Sequence, residues 1–342
     1  MPVKPLSGRP LFATAADAEL YVSLPDIEQR LERAVDRGLN TLILGDRGSG
    51  KTTLVQQLLF RRREAQQAPH AVYIDGSVAR SVMDVIELLR DQLGVAAHVG
   101  ETLMQGLQSA MKPTTPGVGD SRLILARLRP LRDVDPAVVI LDGLVDADVV
   151  HGLFGRLRDE LWALPFTWIV TADTSQRSQL LTPPADAFFE TTIVLRGLTT
   201  DEQRELLRRR LGDDWRAATP LTGEERDNPR RLLTAARETV VEGRPIGDVV
   251  RAAGARAQRA AEIGRAASMM LVELENLDRP VAASDSELLQ RLGVTRERAT
   301  QVLKQLEQHG LVESFSEPAD RGRPRKLYRL RDVLDDDRGG QD

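Results

Sequence analysis

The chain has 342 residues, 41% of them hydrophobic and 29% charged, a composition ordinary for a soluble protein and a length that suits two or three domains with a core each. Its formal net charge of −4 gives no global attraction to nucleic acid, so any contact with DNA has to come from a local basic patch. The absence of cysteine excludes disulfides, thiolate catalysis and cysteine-held metal sites, while the polar start MPVKPLSGRP and the lack of any apolar run near the roughly 18 residues of a membrane span point to the cytoplasm and away from the membrane.

A polar lead-in occupies residues 1–38 and closes on LPDIEQRLERAVDRG, whose apolar residues recur at helical spacing. LNTLILG is then a short apolar strand that runs into GDRGSGKTT, and TLVQQLLFRRR is helical. AVYID (Ala71 to Asp75), AVVILD (Ala137 to Asp142), TWIVTA (Thr167 to Ala172) and TTIVLR (Thr191 to Arg196) are further short runs rich in β-branched residues, separated by helical segments. Such an alternation predicts an α/β layer with a buried parallel sheet over residues 39–198. Proline and glycine in MKPTTPGVGDS (Met111 to Ser121) predict a flexible loop inside it.

The strands stop at Thr199. TTDEQRELLRRRLG has a capped start and a glycine stop, and NPRRLLTAARETVVEG places Pro229 in the first turn of a helix, so residues 199–259 form a small helical domain. From 260 to 332 the order is helix (RAASMMLVELENL), capped helix (SDSELLQRLG), helix (VTRERATQVLKQLEQHGLV) and a Gly/Pro-turned hairpin (ESFSEPADRGRPRKLYRL), which is the order of a winged helix. The acidic stretch 333–342 is read as disordered. His70, His98, His151 and His309 stand too far apart to pair at metal-site spacing.

GDRGSGKT, Gly45 to Thr52, matches G-x-x-x-x-G-K-[ST] at every fixed position and stands between a strand and a helix, where phosphate binding requires it. Glycines let backbone N–H groups turn inward around phosphates, and the positive end of the following helix adds to the attraction. The nucleotide-binding set is therefore Gly45, Asp46, Arg47, Gly48, Ser49, Gly50, Lys51, Thr52 and Thr53. Lys51 is expected to reach the outer phosphates of ATP, and the Thr52 hydroxyl to take one Mg²⁺ position. Asp142, ending its strand, is the second expected partner of the Mg²⁺, the alternative being a turn or cap residue. Thr171, at the tip of the next strand, is placed to contact a phosphate or water, though threonine is also a good strand residue.

In order and spacing, the phosphate loop, VVILD, IVTAD and NPRRLL resemble the AAA+ and STAND group of P-loop ATPases, over about Leu24 to Leu233. The resemblance implies a sheet of strand order 5-1-4-3-2, a helical lid, and a sensor arginine in the lid at Arg230. Two positions depart from it. The usual Asp-Glu pair is Asp142-Gly143, and DGLVDAD is similar instead to the DGLDE of STAND and NACHT ATPases. That makes Asp146, or Asp148 behind it, the replacement acid, against the reading of a solvated loop acid. Where AAA+ proteins carry a finger arginine, PADAFFE has none, and Arg177 is the nearest substitute. Losing that arginine can cost on the order of 10³ to 10⁵ in rate. Slow hydrolysis, or hydrolysis stimulated by a protein partner, is therefore expected.

The last helix and hairpin resemble bacterial winged-helix regulators and the C-terminal domain of origin-recognition-type AAA+ ATPases. Arg296, Arg298, Gln301 and Lys304 lie off the apolar face of Val302, Leu303 and Leu306, in position to read base edges in double-stranded DNA. Arg321, Arg323, Arg325, Lys326, Arg329 and Arg331 make an acid-free basic wing suited to phosphates. Against this stand an arginine-rich background, in which only five of the 47 Lys and Arg are lysine, and the STAND use of a winged helix as an internal regulatory element. The leading expectation is an ATP-gated, DNA-binding switch, with a homo-oligomer and a protein that stimulates hydrolysis left open as further partners. The rivals are a signalling or scaffold ATPase whose winged helix faces protein, and a loader of a helicase or transposase.

Overall fold

The computed structural model describes residues 6–95, 118–144, 146–218, 221–222, 227–241, 243–277, 279–317 and 325–331. The chain divides into two compact units. One comprises Pro10–Asp46 and Gly50–Arg196; the other comprises Gly197 onward together with Arg47–Ser49 and the N-terminal residues to Arg9.

The first unit begins with helices α1 (Ala15–Glu19) and α2 (Pro25–Asp36), then β1 (Thr41–Gly45), α3 (Lys51–Glu64), β2 (His70–Asp75) and α4 (Val82–Gln92). After these come α5 (Val118–Leu128), β3 (Ala137–Asp142), α6 (Ala147–Val150), α7 (Arg158–Trp162), β4 (Phe166–Asp173), α8 (Arg177–Leu180) and β5 (Thr191–Val194). The strands form one sheet of order β2-β3-β4-β1-β5, every pair parallel. That is the predicted 5-1-4-3-2 order, read from the opposite edge. β1 and β3 are buried along their whole length, as strands covered on both faces must be, which is why they read as unbroken apolar runs. Phe154, Trp168, Phe188 and Phe189 fill one end of this core, with ring centroids 4.9 Å apart for Phe154 and Phe188.

Because the strands are parallel, their C-terminal ends share one edge of the sheet, where the register sets Asp75 beside Asp142 and Gly45 beside Asp173. In open α/β sheets that edge is where ligands bind. Several boundaries differ from the sequence reading: β2 and β4 begin one residue earlier, and one helix, Ile246–Ile263, runs across the domain boundary read at 259/260. β5 ends at Val194, and a helix already runs from Val118 inside the segment taken for a loop. The break signal there is Pro116-Gly117; a single glycine such as Gly119 in a first turn weakens a helix without ending it. Residues 111–117 lie outside the described residues.

The second unit contains α9 (Thr200–Leu211), α10 (Trp215–Ala218), α11 (Pro229–Val240), α12 (Ile246–Ile263), α13 (Arg265–Leu277), α14 (Ser286–Leu292), α15 (Arg296–Gln308) and the antiparallel strands β6 (Val312–Glu317) and β7 (Arg325–Leu330). α9 opens on a reciprocal capping box between Thr199 and Glu202 and stops at Gly212, with φ of 58°. α13, α14 and α15 close around a separate apolar core that includes Leu274, Leu288 and Leu303. Val281, outside the predicted hairpin, adds a bridge to β7: its N–H donates to Tyr328 O at 2.9 Å and its carbonyl accepts from Tyr328 N at 2.8 Å. Among the described residues, no helix is long and apolar enough to cross a membrane. The tail 333–342, read as disordered, lies outside the described residues.

Candidate nucleotide site

β1 ends at Gly45 and α3 starts at Lys51, so the glycine-rich loop joins a buried strand to a helix N-terminus as the sequence predicts. Gly48 and Gly50 take φ of 80° and 100°, a region costly to residues with a Cβ. Gly50 stands at the N-cap of α3 with no side-chain cap, which leaves the first amides of the helix available to an anion. The Lys51 ammonium donates to the carbonyls of Gly45 at 2.6 Å and Asp46 at 3.0 Å. Ser49 Oγ is buried without a hydrogen-bond partner among the described residues, an orphaned polar atom inside the loop. Thr53, assigned to the nucleotide by sequence, uses its hydroxyl to accept from Leu11 N at 3.2 Å.

Asp142 is 5% exposed at the end of β3 and has both carboxylate oxygens engaged. The Thr171 hydroxyl donates to Oδ1, and the Tyr73 hydroxyl donates to Oδ2 at 2.8 Å. Thr171 Oγ1 in turn accepts from Gly143 N at 3.0 Å, so Thr171 ties Asp142 to the turn that follows it. Sequence reading missed Tyr73; the only signal was one phenol in an otherwise aliphatic strand. Burial, followed by the charge and hydrogen bond of Asp142, pushes the Tyr73 hydroxyl well above its ordinary range and keeps it a donor.

Asp146 is a helix cap: its Oδ1 accepts from Asp148 N at 2.9 Å and Val149 N at 3.1 Å. Asp148 and Arg177 are exposed. In the second unit, Arg230 occupies the first turn of α11, where its N–H donates to Asn228 Oδ1 at 3.0 Å. Asn228 Nδ2 also donates to Arg47 O at 2.9 Å, and the Arg47 guanidinium pairs with Glu287. A Cβ on Gly48 would lie 2.7 Å from Arg230 Cβ, so glycine is required there by space as well as by φ.

Among the described residues no group of three or more His, Cys, Asp or Glu could hold a metal by itself. A hydroxyl at Thr52 and one carboxylate at Asp142 fit an ion such as Mg²⁺, which is usually held by one or two carboxylates plus substrate phosphates.

The predicted DNA-reading residues Arg296, Arg298, Gln301 and Lys304 are exposed on α15, while Val302, Leu303 and Leu306 are buried beneath them. Arg298 donates to Gln301 Oε1 at 2.7 Å. On β7, Arg325 and Lys326 are exposed. Lys326 pairs with Glu307 at 3.0 Å and Arg329 pairs with Glu313. Arg321 and Arg323 lie outside the described residues.

No protein-family model and no curated protein matches the chain. Solved structures do. The ORC1 protein of Aeropyrum pernix in complex with DNA matches at 18% identity over 92% of this chain and 91% of its own, with a TM-score of 0.50. The ORC2 protein of Aeropyrum pernix matches at 17% over 98% and 95%, with a TM-score of 0.50. Cdc6p from Pyrobaculum aerophilum matches at 17% over 94% and 96%, with a TM-score of 0.51. The chain therefore shares its fold with these proteins.

Proposed function

We propose that the chain is an ATP-binding, slowly hydrolysing ATPase of AAA+ type that acts as a nucleotide-dependent switch and binds double-stranded DNA through a winged helix formed by residues 260–332. The observation that carries this reading is the meeting, at one edge of a parallel sheet, of the Gly45–Thr52 loop with the hydrogen-bonded pair Asp142 and Thr171. Residues 39–198 are the core of the switch and 199–259 its lid, in which Arg230 is the sensor. Lys51 and the amides at the start of α3 bind the phosphates. The Thr52 hydroxyl and Asp142 would hold Mg²⁺ with the nucleotide, where it would neutralise phosphate charge. Thr171 keeps Asp142 turned toward that position.

Slow turnover follows from the local chemistry. Gly143 has no side chain to prepare a water, and the next acid along the chain, Asp146, already spends one oxygen capping α6. Basal turnover should fall well below the roughly 10 per second of a typical enzyme. A partner protein or a second copy of the chain would supply the missing finger arginine. A DNA complex of the similarly folded ORC1 protein supports the DNA arm of the reading.

A second reading rests on the ion pairs Lys326–Glu307 and Arg329–Glu313, which consume basic charge on β7. In it the three-helix unit faces a protein, as in a signalling ATPase or a helicase or transposase loader. One experiment separates the two: titrate a labelled duplex with protein carrying no nucleotide, ADP or a slowly hydrolysed ATP analogue, at two salt concentrations. Affinity that changes with nucleotide and falls with salt supports the DNA switch. Absence of binding in every state removes it and leaves the protein-facing reading.

A further inference from the structure

Asp142 is held by a strand it does not belong to. The register of β2 against β3 sets Tyr73 beside Ile140, and from there the Tyr73 hydroxyl reaches forward along the sheet to Asp142 Oδ2 at 2.8 Å. The Gln56 side chain lies beside the Tyr73 hydroxyl. Gln56 is 6% exposed and stands four residues after Thr52 on α3, one turn along the same face. Its own oxygen, Oε1, accepts from the backbone N–H of Ala13 at 3.1 Å.

Each link has a fixed direction. The Gln56 oxygen is committed to the Ala13 N–H, and the phenol proton points at Asp142. With Thr171 donating to Oδ1, both oxygens of the carboxylate are fixed and its plane cannot rotate freely. Each oxygen keeps a second lone pair for another donor or a cation. Partners of this kind orient metal-binding carboxylates, and losing one costs about 10- to 100-fold in metal affinity or activity.

We propose that Tyr73 is a positioning residue for Asp142: its hydroxyl holds the carboxylate in the orientation in which it would take Mg²⁺ with the nucleotide. This rests on the nucleotide-site reading above. A tyrosine that merely packs in the sheet would need its ring and not its hydroxyl.

The test measures binding of a fluorescent ADP analogue to the full chain in excess Mg²⁺ and in EDTA. It compares wild type with Tyr73→Phe, Gln56→Glu and Lys51→Ala, with folding checked by thermal melting. Tyr73→Phe should lose about 10- to 100-fold of the affinity gained from Mg²⁺ while binding in EDTA stays at the wild-type level. Gln56→Glu still accepts from Ala13 but competes for the phenol proton, and it should shift the Mg²⁺-dependent affinity in the same direction even if Tyr73→Phe folds poorly. Wild-type Mg²⁺ dependence in both variants overturns the proposal. So does an equal loss with and without Mg²⁺, which would make Tyr73 a packing residue. Wild-type binding that survives Lys51→Ala unchanged would overturn the nucleotide site itself, a failure distinct from that of Tyr73 alone.

Discussion

Gly143 decides how the missing glutamate is to be understood. At φ of 75° the backbone after Asp142 turns through the left-handed region, and a Cβ there would meet nothing nearer than Ser77 Cβ at 3.8 Å. Conformation and not crowding selects glycine, so a glutamate could not be restored without changing the turn. Gly143→Glu is expected to destabilise the fold by about 1–2 kcal/mol and to leave phosphate release no faster. Thermal melting and a phosphate-release assay on the same preparation check both parts. Asp146 can be tested more finely, because its cap and its acid role separate chemically. Asp146→Ala removes the cap of α6 and should cost about 1 kcal/mol. Asp146→Asn keeps Oδ1 as an acceptor for Asp148 N and Val149 N, so it should hold stability near wild type while turnover drops if the free carboxylate oxygen serves the attacking water. Equal turnover in Asp146→Asn and wild type would leave Asp146 a cap and nothing more.

Individual elements rest on ties of two kinds, and only one was legible beforehand. The phosphate loop, the five strands and the capping box of α9 were readable because glycine placement, apolar runs and cap spacing are local signals. Tyr73 on Asp142, the Val281 bridge to β7 and the cap at Asp146 were not, because each depends on which distant or turning backbone the fold brings near. Glu28 on α2 belongs to the second kind. It accepts from the Tyr21 hydroxyl at 2.6 Å, Leu24 N at 2.8 Å and the Arg61 guanidinium at 2.8 Å, tying α2 to α3. Burial alone would raise its pKa; the hydrogen bonds from Tyr21, Arg61 and Leu24 outweigh burial and hold it below the ordinary 4.5. A carboxylate depressed in the folded state adds stability that is complete above its unfolded value and disappears as pH falls through its folded one. Urea midpoints should therefore decline from about pH 4.5 downward more steeply in the wild type than in Glu28→Gln, which has no such proton to take up. Parallel pH curves for the two proteins would show that the Glu28 cluster does not carry this dependence.

For the molecule as a whole, net charge sets the terms on which DNA could be met. A protein at −4 repels a duplex on average, so a binding face must overcome that field with a few well-placed cations. α15 offers Arg296, Arg298 and Lys304, all exposed. β7 offers less than its sequence suggests, because Lys326 is held by Glu307, whose carboxylate also accepts from the Ser314 hydroxyl. Each phosphate contact releases counterions and contributes about 0.9 to the slope of log affinity against log salt. Arg296→Ala, Arg298→Ala and Lys304→Ala combined should therefore flatten that slope by up to about 2.7 if all three touch phosphate, and by less for each one that reads a base edge instead. Lys326→Ala should change it by well under one unit, since its charge is already balanced. Glu307→Gln tests the same arithmetic from the other side: it frees Lys326 and should tighten duplex binding with a steeper slope. If Glu307→Gln instead leaves duplex binding untouched while the α15 variant weakens it, DNA is gripped by the helix alone and the hairpin serves another surface.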